Sequence, residues 1–551
     1  MTNSVESIFT LFSRAAIEFS DKNAFVYFKD DKWQNISFAE FYNKVIHIAH
    51  YLQQKGAVEG SKVAICAENM PEWCAAYLAI MAVRAIAVPM DPELGVEEIK
   101  RILISSGASI AFASSYTMDR VKDGALGLTN NVDVISFASI EFRDIWEGSQ
   151  KLLVRWRDIP PLSTEETASI IFTSGTTGQP KGVMLTHLNI ISDGKAFLDS
   201  GIINRSDSMI CVLPLYHTYA FTVNFFISIT YGLTFNFPIA LKGRELLRSI
   251  KETRTTVLVA VPRIFEMLLH EIDNKIDALP FPQRMIALGL KIVSGNIRKR
   301  IGLNIGKKFF SSIHDEFGSQ FRFSFSGGAK LMPEYIKRFD AYGFTISEGY
   351  GLSETSPIVS FNPLEKRKIG SVGKPIIGAL IRIAAPVNGR DDGEVLVKGP
   401  MVFKGYYGAN EQPGLLVDEE GWLHTGDIGY MDEDGYLYIT GRLKDVIVLS
   451  SGKNVYPEDV ELKYSSIPII KEICVLSKNS KTLHAIIAAD LEKAGVLQIT
   501  DIEEYMKQQI NVVSHKLPQY MRISGFTLIS EPLPKTRLGK LKRYSISKLG
   551  I

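Results

Sequence analysis

Residues 173–182 read Thr-Ser-Gly-Thr-Thr-Gly-Gln-Pro-Lys-Gly and follow directly on the apolar run at 170–172. The apolar run predicts a short buried strand. Glycines let the backbone approach a ligand closely, and successive N–H groups in such a turn form a concavity that holds anions. The hydroxyls add donors, and Lys181 adds positive charge for phosphate oxygens. The stretch therefore predicts a polyphosphate cradle, which differs from the common P-loop because Pro180 stands five residues after Gly175.

The part of the chain before this stretch alternates between helical and strand patterns. Apolar residues have helical spacing from Phe38 to Gln54, and Val63 to Ile65 predicts a strand. A second helix is expected from Glu72 to Ala85, ended by Ala87-Val88-Pro89. Such alternation is typical of parallel sheets covered by helices. A chain of 551 residues is too long for one core, so two or more domains are expected.

Composition excludes several classes of protein. A net charge of +2 provides no overall attraction to nucleic acid. The four cysteines lack CxxC spacing, which predicts free buried thiols in a reducing cytoplasm rather than a disulfide or zinc site. The N-terminus lacks the basic region of a signal peptide. Residues 218–241 carry no charge and are long enough to span a bilayer, but their polar residues favour a buried core segment.

Further segments complete an ordered set of motifs. They are Leu213–Phe221, which contains His217; the small-residue turn Ser326–Lys330; Ser347–Thr355; Trp422–Asp427; Thr440–Asp445; and Pro532–Arg543. With the 173–182 stretch, these segments resemble the motifs of the adenylate-forming superfamily. That superfamily includes acyl-CoA synthetases, aryl-CoA ligases, firefly luciferase and peptide-synthetase adenylation domains. The resemblance extends from about residue 10 to residue 545.

The resemblance implies a site for ATP and AMP. Tyr350 offers a ring for adenine, Asp427 can accept both ribose hydroxyls, and Glu354 with Thr176 would hold Mg²⁺. Ser353 replaces the commoner threonine but keeps the hydroxyl. The nucleotide-binding residues implied in this way are Thr173, Ser174, Gly175, Thr176, Thr177, Lys181, Gly328, Tyr350, Gly351, Ser353, Asp427 and Arg442.

The same resemblance implies an α/β fold in two parts. Residues 1–442 would form helix-covered sheets with a β-subdomain, and residues 443–551 a small mobile α+β domain that turns about the hinge residue Lys444. Lys540 would be the lysine of the adenylation step, and His217 and Glu354 would complete the catalytic group. Gly452 would line the thiol tunnel after the domain has turned.

The substrate acid is expected to be apolar. No acidic residue occurs from Met209 to Leu241, so this segment offers no counter-ion for an amino acid's ammonium group. Tyr219, Phe221 and Val223 are candidates for the acyl pocket, and plain core packing is the alternative at each position. The expected activity is that of a long-chain-fatty-acid–CoA ligase using ATP and Mg²⁺. A ligase acting on acyl carrier protein and a non-catalytic nucleotide-binding scaffold are the alternatives.

The location of the protein is expected to be cytoplasmic. Many basic residues lie between Asn274 and Lys308, which leaves two interpretations open. One is a solvated helix face, and the other is contact with a phosphate tail or with the inner face of a membrane. A homodimer is a further alternative.

Overall fold

The computed structural model describes residues 6–148, 163–173, 181–385, 392–408, 416–450, 453–478, 481–535 and 541–547. Strands in the larger part of the chain are β1 Asn23–Lys29, β2 Lys32–Ser37, β3 Lys62–Cys66, β4 Ile86–Met90, β5 Ile110–Ala113, β6 Asp133–Ser136, β7 Thr167–Thr173, β8 Lys181–Thr186, β9 Ser208–Ile210, β10 Thr234–Asn236, β11 Val257–Ala260, β12 Phe323–Ser326, β13 Ile346–Gly351, β14 Ile358–Phe361, β15 Lys374–Pro375, β16 Leu380–Ile383, β17 Gly393–Lys398, β18 Gly405–Tyr407, β19 Leu423–Met431 and β20 Leu437–Arg442. The C-terminal part adds β21 Ile447–Val448, β22 Asn454–Val455, β23 Ile470–Lys478, β24 Thr482–Ala489 and β25 Ile523–Ile529.

The helices alternate with these strands over most of the chain. They are α1 Ile8–Glu18, α2 Phe38–Gln54, α3 Pro71–Ala82, α4 Val96–Ser106, α5 Met118–Ala125, α6 Ile140–Glu147, α7 His187–Asp199, α8 Thr218–Ala220, α9 Ile227–Tyr231, α10 Gly243–Glu252, α11 Pro262–Asp277, α12 Phe281–Ile301, α13 Gly306–Phe309, α14 Ser311–Phe317, α15 Pro333–Tyr342, α16 Pro457–Tyr464, α17 Leu491–Val496, α18 Ile502–His515 and α19 Arg543–Ile546. A π-helical turn, Phe221–Phe226, joins α8 to α9.

Two large sheets and one small sheet form the first 442 residues. One sheet has the order β18-β8-β7-β4-β3-β5-β6, and the other has the order β15-β14-β13-β12-β11-β9-β10-β1-β2. The central strands of each sheet run parallel, as strand–helix alternation predicts. They are β3, β4 and β5 in the first sheet and β9, β11, β12 and β13 in the second. Strands β16, β17, β19 and β20 form an antiparallel sheet that corresponds to the predicted β-subdomain. The α/β class is thereby confirmed.

The hydrophobic clusters follow the two parts of the chain. One large cluster runs from Ile8 to Leu423, and a separate one runs from Leu449 to Ile523. The second lies under the sheet β23-β24-β25 and beside α16 and α18. Because no single cluster of the described residues includes both parts, the division at residues 442 and 443 stays a prediction that this packing favours.

Several local predictions can be compared directly with the structure. Helix α2 has the predicted bounds, and its N-cap Ser37 accepts from the backbone N–H of Glu40 while the Glu40 side chain accepts from the Ser37 N–H. The prediction for Ala87-Val88-Pro89 was wrong: these residues do not simply end a helix but form the middle of β4. Pro89 is tolerated there near the end of a short apolar strand, and α3 stops earlier, at Ala82.

Residues 218–241 form short helical elements and strand β10 within the large hydrophobic cluster, which confirms the core interpretation. Among the described residues, no helix combines the length and the apolar character needed to cross a membrane. The four cysteines carry free thiols and are buried, as predicted.

Candidate active site

Tyr350, Asp427 and Arg442 form a compact hydrogen-bonded group. The Tyr350 hydroxyl donates to Oδ2 of Asp427 at 2.7 Å, and Nε of Arg442 lies 2.7 Å from Oδ1. Asp427 and Arg442 are directly opposed in the antiparallel pair β19–β20, which fixes their separation. Asp427 is 3% exposed, and burial together with the Asp427 charge raises the pKa of Tyr350 well above its ordinary value. One carboxylate thus links the end of β13 to the β-subdomain.

The chain turns sharply after Tyr350. A Cβ atom at Gly351 would lie 1.6 Å from the carbonyl oxygen of Pro357, so no larger residue fits there. Ser353–Thr355 then form a single 3₁₀ turn that carries Ser353 and Glu354. The turn places Glu354 four residues from Tyr350 and directs it toward strand β18.

Glu354 accepts a hydrogen bond from Tyr406 on the edge strand β18, and the Tyr406 ring lies near Lys181 on β8. The Tyr406 hydroxyl donates to Oε1 of Glu354 at 2.8 Å, and the backbone N–H of Phe403 donates to the Glu354 carbonyl at 2.9 Å. Nζ of Lys181 lies 5.2 Å from the centre of the Tyr406 ring. Burial raises the pKa of Tyr406, so its hydroxyl stays protonated and keeps its donor role. Glu354 and the lysine of the 173–182 stretch are therefore neighbours through one tyrosine.

The 173–182 stretch begins and ends on paired strands. Thr173 ends β7 and Lys181 begins β8, and the two residues are directly opposed. Ser174, Gly175, Thr176 and Thr177 lie outside the described residues. The strand pairing therefore shows where the predicted cradle begins and ends.

A small-residue turn follows β12 beside the His217 segment. A Cβ atom at Gly327 would lie 2.8 Å from Cζ of Tyr219, and Gly328 has a φ of 79°. His217 precedes α8, and its ring lies 4.3 Å from the ring of Tyr216. Burial raises the pKa of Tyr219. Tyr219 therefore packs on the small-residue turn that contains Gly328.

The other two predicted acyl-pocket residues lie deeper in the fold. The Phe221 ring is 4.4 Å from that of Tyr77, and Val223 is buried on the same π-helical turn. Both belong to the large hydrophobic cluster. A role in the acyl pocket stays a prediction for each, with core packing as the alternative.

Lys444 follows closely in sequence on the Tyr350–Asp427–Arg442 group. It lies in the 3₁₀ turn Leu443–Asp445, two residues after Arg442. Burial and the Arg442 charge lower the pKa of its ammonium group. A Cβ atom at Gly441 would lie 2.7 Å from Cδ1 of Tyr456, so the C-terminal part packs closely on β20.

Lys540 and Gly452 lie outside the described residues. The residues that flank Lys540 can be placed, because Lys535 and Leu541 form an antiparallel bridge. Nζ of Lys535 lies 2.9 Å from Oε1 of Glu472. Burial raises the pKa of Glu266 on α11, and the charges of Lys535 and Glu472 also act on it. Lys535, at the base of the Lys540 segment, is therefore held at strand β23 by Glu472.

Two residues that support the site were not predicted from the sequence. Oδ1 of Asp193, which is fully buried on α7, accepts from the backbone N–H of Ile358 at 3.1 Å. Nδ2 of Asn189, one turn earlier, donates to the carbonyls of Pro400 and Val402 at 2.8 and 2.9 Å. Together they tie α7 to both segments around Glu354. Their spacing of four residues, which places both side chains on one face of α7, was the available signal.

Tyr406 was missed as well. Its sequence neighbourhood, Lys-Gly-Tyr-Tyr-Gly, carries no charge pattern that indicates a partner. Only the pairing of β18 with β8 brings it to Lys181 and Glu354.

Taken together, the fold and this group of residues define an adenylate-forming enzyme. The model of the AMP-binding enzyme family matches residues 12–407, and that of the AMP-binding enzyme C-terminal domain matches residues 444–549. The chain belongs to this family and is an adenylate-forming acyl ligase that uses ATP.

Similar proteins include ligases with different thiol acceptors. A long-chain-fatty-acid–CoA ligase of Mycobacterium bovis is 31% identical over 488 residues, which are 84% of this chain and 78% of that protein. A chloroplastic long-chain-fatty-acid–[acyl-carrier-protein] ligase of Arabidopsis thaliana is 26% identical and covers 90% of this chain and 78% of its own length. The ATP-bound structure of MatB from Rhodopseudomonas palustris is 23% identical, has a TM-score of 0.80, and covers 98% of this chain and 99% of its own.

Proposed function

We propose that this protein activates a fatty acid as acyl-AMP and transfers the acyl group to coenzyme A. The observation that carries the nucleotide part of the proposal is the Tyr350–Asp427–Arg442 group. A carboxylate has about four acceptor sites, and two of those on Asp427 are used by Tyr350 and Arg442. The remaining acceptor sites suit the two hydroxyls of a ribose. Arg442 would hold the carboxylate oriented for them.

The adenine and the phosphates would lie on either side of this ribose. The turn at Gly327 and Gly328 follows β12, whose Ser326 pairs with Glu348 two residues before Tyr350, and the backbone at Gly328 would offer the flat base room. Lys181 would contact the phosphates, with Thr173, Ser174, Gly175, Thr176 and Thr177 forming the rest of the cradle. Ser353 adds a hydroxyl near Glu354.

The residues present fit a magnesium ion bound mainly through the nucleotide. Mg²⁺ in such sites takes one or two protein oxygens and completes its shell with phosphate oxygens and water. Glu354 supplies a hard carboxylate, and Thr176 is the second proposed ligand. Among the described residues, no group of three or more His, Cys, Asp or Glu side chains could hold a metal without a substrate. When bound, the ion would neutralise phosphate charge.

The proposed chemistry has two half-reactions. First, a carboxylate oxygen of the fatty acid attacks the α-phosphorus of ATP, the bond to the β-phosphate oxygen breaks, and pyrophosphate leaves. Lys540 would stabilise the negative charge that develops between the carboxylate and the α-phosphate, and His217 would lie beside the same groups. Then the sulfur of the thiol attacks the acyl carbonyl, AMP leaves with the bonding electrons, and the thiol proton passes to solvent.

One site would serve both half-reactions through a turn of the C-terminal domain. We infer that residues 443–551 move about Lys444, which withdraws Lys540 and brings Gly452 to the thiol tunnel. The separate hydrophobic cluster of this domain supports movement as a unit. The close contact of Gly441 with Tyr456 would have to change during the turn.

A fatty acid is the substrate that fits the chain best. Segment 209–241 offers no acidic partner for a charged acyl substituent, and it contains five phenylalanines. The similarity to long-chain-fatty-acid ligases supports the same choice. Acyl carrier protein stays the alternative acceptor for two reasons. One is the similarity to the acyl-carrier-protein ligase of Arabidopsis thaliana, and the other is the excess of basic residues in the C-terminal domain.

The test measures ATP–pyrophosphate exchange with saturated acids of graded length, followed by thioester formation with coenzyme A and with holo-acyl carrier protein offered side by side. We expect exchange that depends on the acid and thioester formation with coenzyme A. Asp427→Ala should abolish exchange, whereas Asp144→Ala, at an exposed position on α6, should not change it. Exchange that is absent with every acid would contradict the proposal, and thioester formation on carrier protein alone would favour the alternative acceptor.

A further inference from the structure

The outer face of α12 is apolar and exposed. Helix α12 has 21 residues, of which only Ser294 is fully buried. Its inner face packs on α15, where a Cβ atom at Gly295 would lie 3.3 Å from Cβ of Ala341. At about 100° per residue, five large apolar side chains project on the opposite side within an arc of about 140°. They are Phe281, Met285, Ile286, Ile292 and Val293, and they are called the outer face below.

The exposure of the outer face is large for apolar residues. Phe281 is 76% exposed, Ile286 is 63% exposed and Ile292 is 66% exposed. Single exposed apolar residues are ordinary on protein surfaces, but a row of five along one helix indicates a surface that meets something apolar. Ile301, the last residue of the helix, and Leu303, just beyond it, are also exposed.

The outer face is accompanied by unopposed positive charge. Residues 281–310 contain seven basic residues and no acidic residue. Three of the basic residues are paired with aspartates of neighbouring elements: Arg284 with Asp277, Lys291 with Asp273 and Arg298 with Asp340. The other four are exposed and form no ion pair within the part of the chain that the structure describes. They are Lys299, Arg300, Lys307 and Lys308.

We propose that the outer face of α12 binds the surface of an anionic lipid bilayer. The apolar side chains would enter the boundary between headgroups and acyl chains, and the helix would lie in the plane of the membrane. Lys299, Arg300, Lys307 and Lys308 would contact anionic headgroups at one end of the same face. An anionic bilayer thus offers an apolar region for the outer face and negative charge for the four cations beside it.

A second copy of the chain fits this surface less well. In a twofold dimer the same patch meets itself, so each copy would bring the same four cations to the interface. Like charges at an interface oppose association unless acidic groups separate them, and residues 281–310 supply none. Charge complementarity therefore favours the anionic bilayer.

The proposed fatty-acid substrate explains why binding to a membrane would be useful to the enzyme, and in this respect the inference rests on the proposed function. Long-chain acids partition into membranes because each methylene group favours transfer out of water. An enzyme held at the bilayer surface would meet its acid where the acid accumulates. The binding itself requires no turnover and can be measured separately.

The test is flotation of the full chain with vesicles of phosphatidylcholine alone and of equal parts phosphatidylcholine and phosphatidylglycerol. We expect binding to the anionic vesicles that falls steeply with salt. The double substitution Lys299→Gln/Arg300→Gln should lower the partition coefficient about 25-fold, since each cation near such a surface contributes roughly fivefold. Ile286→Gln/Ile292→Gln should lower it roughly tenfold or more.

Matched controls lie on the C-terminal part of the chain. Lys471→Gln/Lys478→Gln removes two exposed lysines, and Val496→Gln removes a valine that is 82% exposed. Neither should change flotation. Equal binding to both vesicle types, the absence of binding, or wild-type binding by both outer-face variants would overturn the proposal.

Two further measurements separate this inference from its alternatives. Sedimentation velocity in the absence of lipid should show the same association state for the wild type and Ile286→Gln/Ile292→Gln; a dimer lost in the variant would assign the face to a second copy and overturn the proposal. ATP–pyrophosphate exchange with octanoate, a water-soluble acid, should be equal in the wild type and both variants. If the wild type lacks exchange but floats as expected, the proposed function fails and the membrane inference stands.

Discussion

Replacing Glu348 with glutamine should stabilise the protein at alkaline pH and leave its stability nearly unchanged at acidic pH. Glu348 is 6% exposed on β13, two residues before Tyr350. Its Oε2 is buried and has no hydrogen-bond partner among the described residues. Burial raises the pKa of this carboxyl from 4.5 to about 7, although a hydrogen bond from the Gly370 backbone and the charges of Lys330 and Arg367 act in the opposite direction. The folded chain therefore prefers the protonated acid.

The sign and size of the effect follow from this pKa. Between pH 4.5 and about 7 the folded state binds a proton that the unfolded state has released, so stability falls as pH rises through this range. Each pH unit across the gap contributes about 1.4 kcal/mol. Ionised Glu348 thus lowers the free energy of unfolding by about 3 kcal/mol at pH 8.5 relative to a group that does not titrate. Glutamine removes this penalty because it stays neutral.

The assay is urea unfolding of the wild type and Glu348→Gln at pH 5 and at pH 8.5. At each pH, the free energy of unfolding of the wild type is subtracted from that of Glu348→Gln, and the two differences are then compared. Any packing or hydrogen-bond effect of the amide is the same at both pH values and cancels in this comparison. Glu419→Gln, at an exposed position, is the control and should show no such change. A difference between the proteins that is the same at both pH values would refute the reasoning, because it would show that the buried carboxyl is not held protonated.

Substitutions at four other positions test the site and the proposed domain movement. Lys540→Ala should slow acyl-AMP formation roughly 100-fold or more and leave thioester formation from synthetic acyl-AMP largely intact; equal loss of both would contradict the assignment. Lys444→Pro should do the reverse, slowing thioester formation roughly tenfold or more in single-turnover assays, because proline stiffens the pivot; unimpaired synthesis would exclude the hinge. Tyr350→Phe should raise the KM for ATP roughly tenfold through loss of the hydrogen bond to Asp427, and an unchanged KM would exclude that role. Asp193→Ala should lower the free energy of unfolding by about 2 kcal/mol, whereas Asp193→Asn, which keeps an acceptor for the Ile358 N–H, should cost less than half as much in denaturation experiments; equal costs would contradict the role of the hydrogen bond.

The elements and motifs that depend on local sequence were predictable. The capping box and the regular apolar face of α2 indicate its bounds in the sequence. The pair Thr173 and Lys181 lies at the ends of a glycine-containing stretch that follows an apolar run. Strand β4 was not recognised because its residues follow an apolar helix with little punctuation, and a proline near the end of a strand resembles a helix terminator. Only the parallel pairing with β3 and β7 decides that Ile86–Met90 is extended.

The supporting residues of the site could not be predicted, because their partners are distant in sequence. Asp193 and Ile358 are 165 residues apart, and Tyr406 reaches Glu354 over 52 residues. A buried aspartate in a helix shows in the sequence only as a polar residue among apolar ones. Its function of holding a backbone N–H depends on where a second segment turns, and the sequence pattern does not contain that information.

The Tyr350–Asp427–Arg442 group also constrains how a moving domain can be attached. Arg442 is fixed opposite Asp427 by strand pairing, so the proposed ribose contacts end at residue 442, and Lys444 follows two residues later. If Lys444 is the pivot, the domain can turn without disturbing the ribose contacts, because no residue beyond 442 holds Asp427 among the described hydrogen bonds. The contact that must yield is instead the packing of Tyr456 on Gly441. A glycine at that position lets the ring lie against bare backbone, and we therefore expect any larger residue at 441 to shift the balance between the two half-reactions before it affects the binding of ATP.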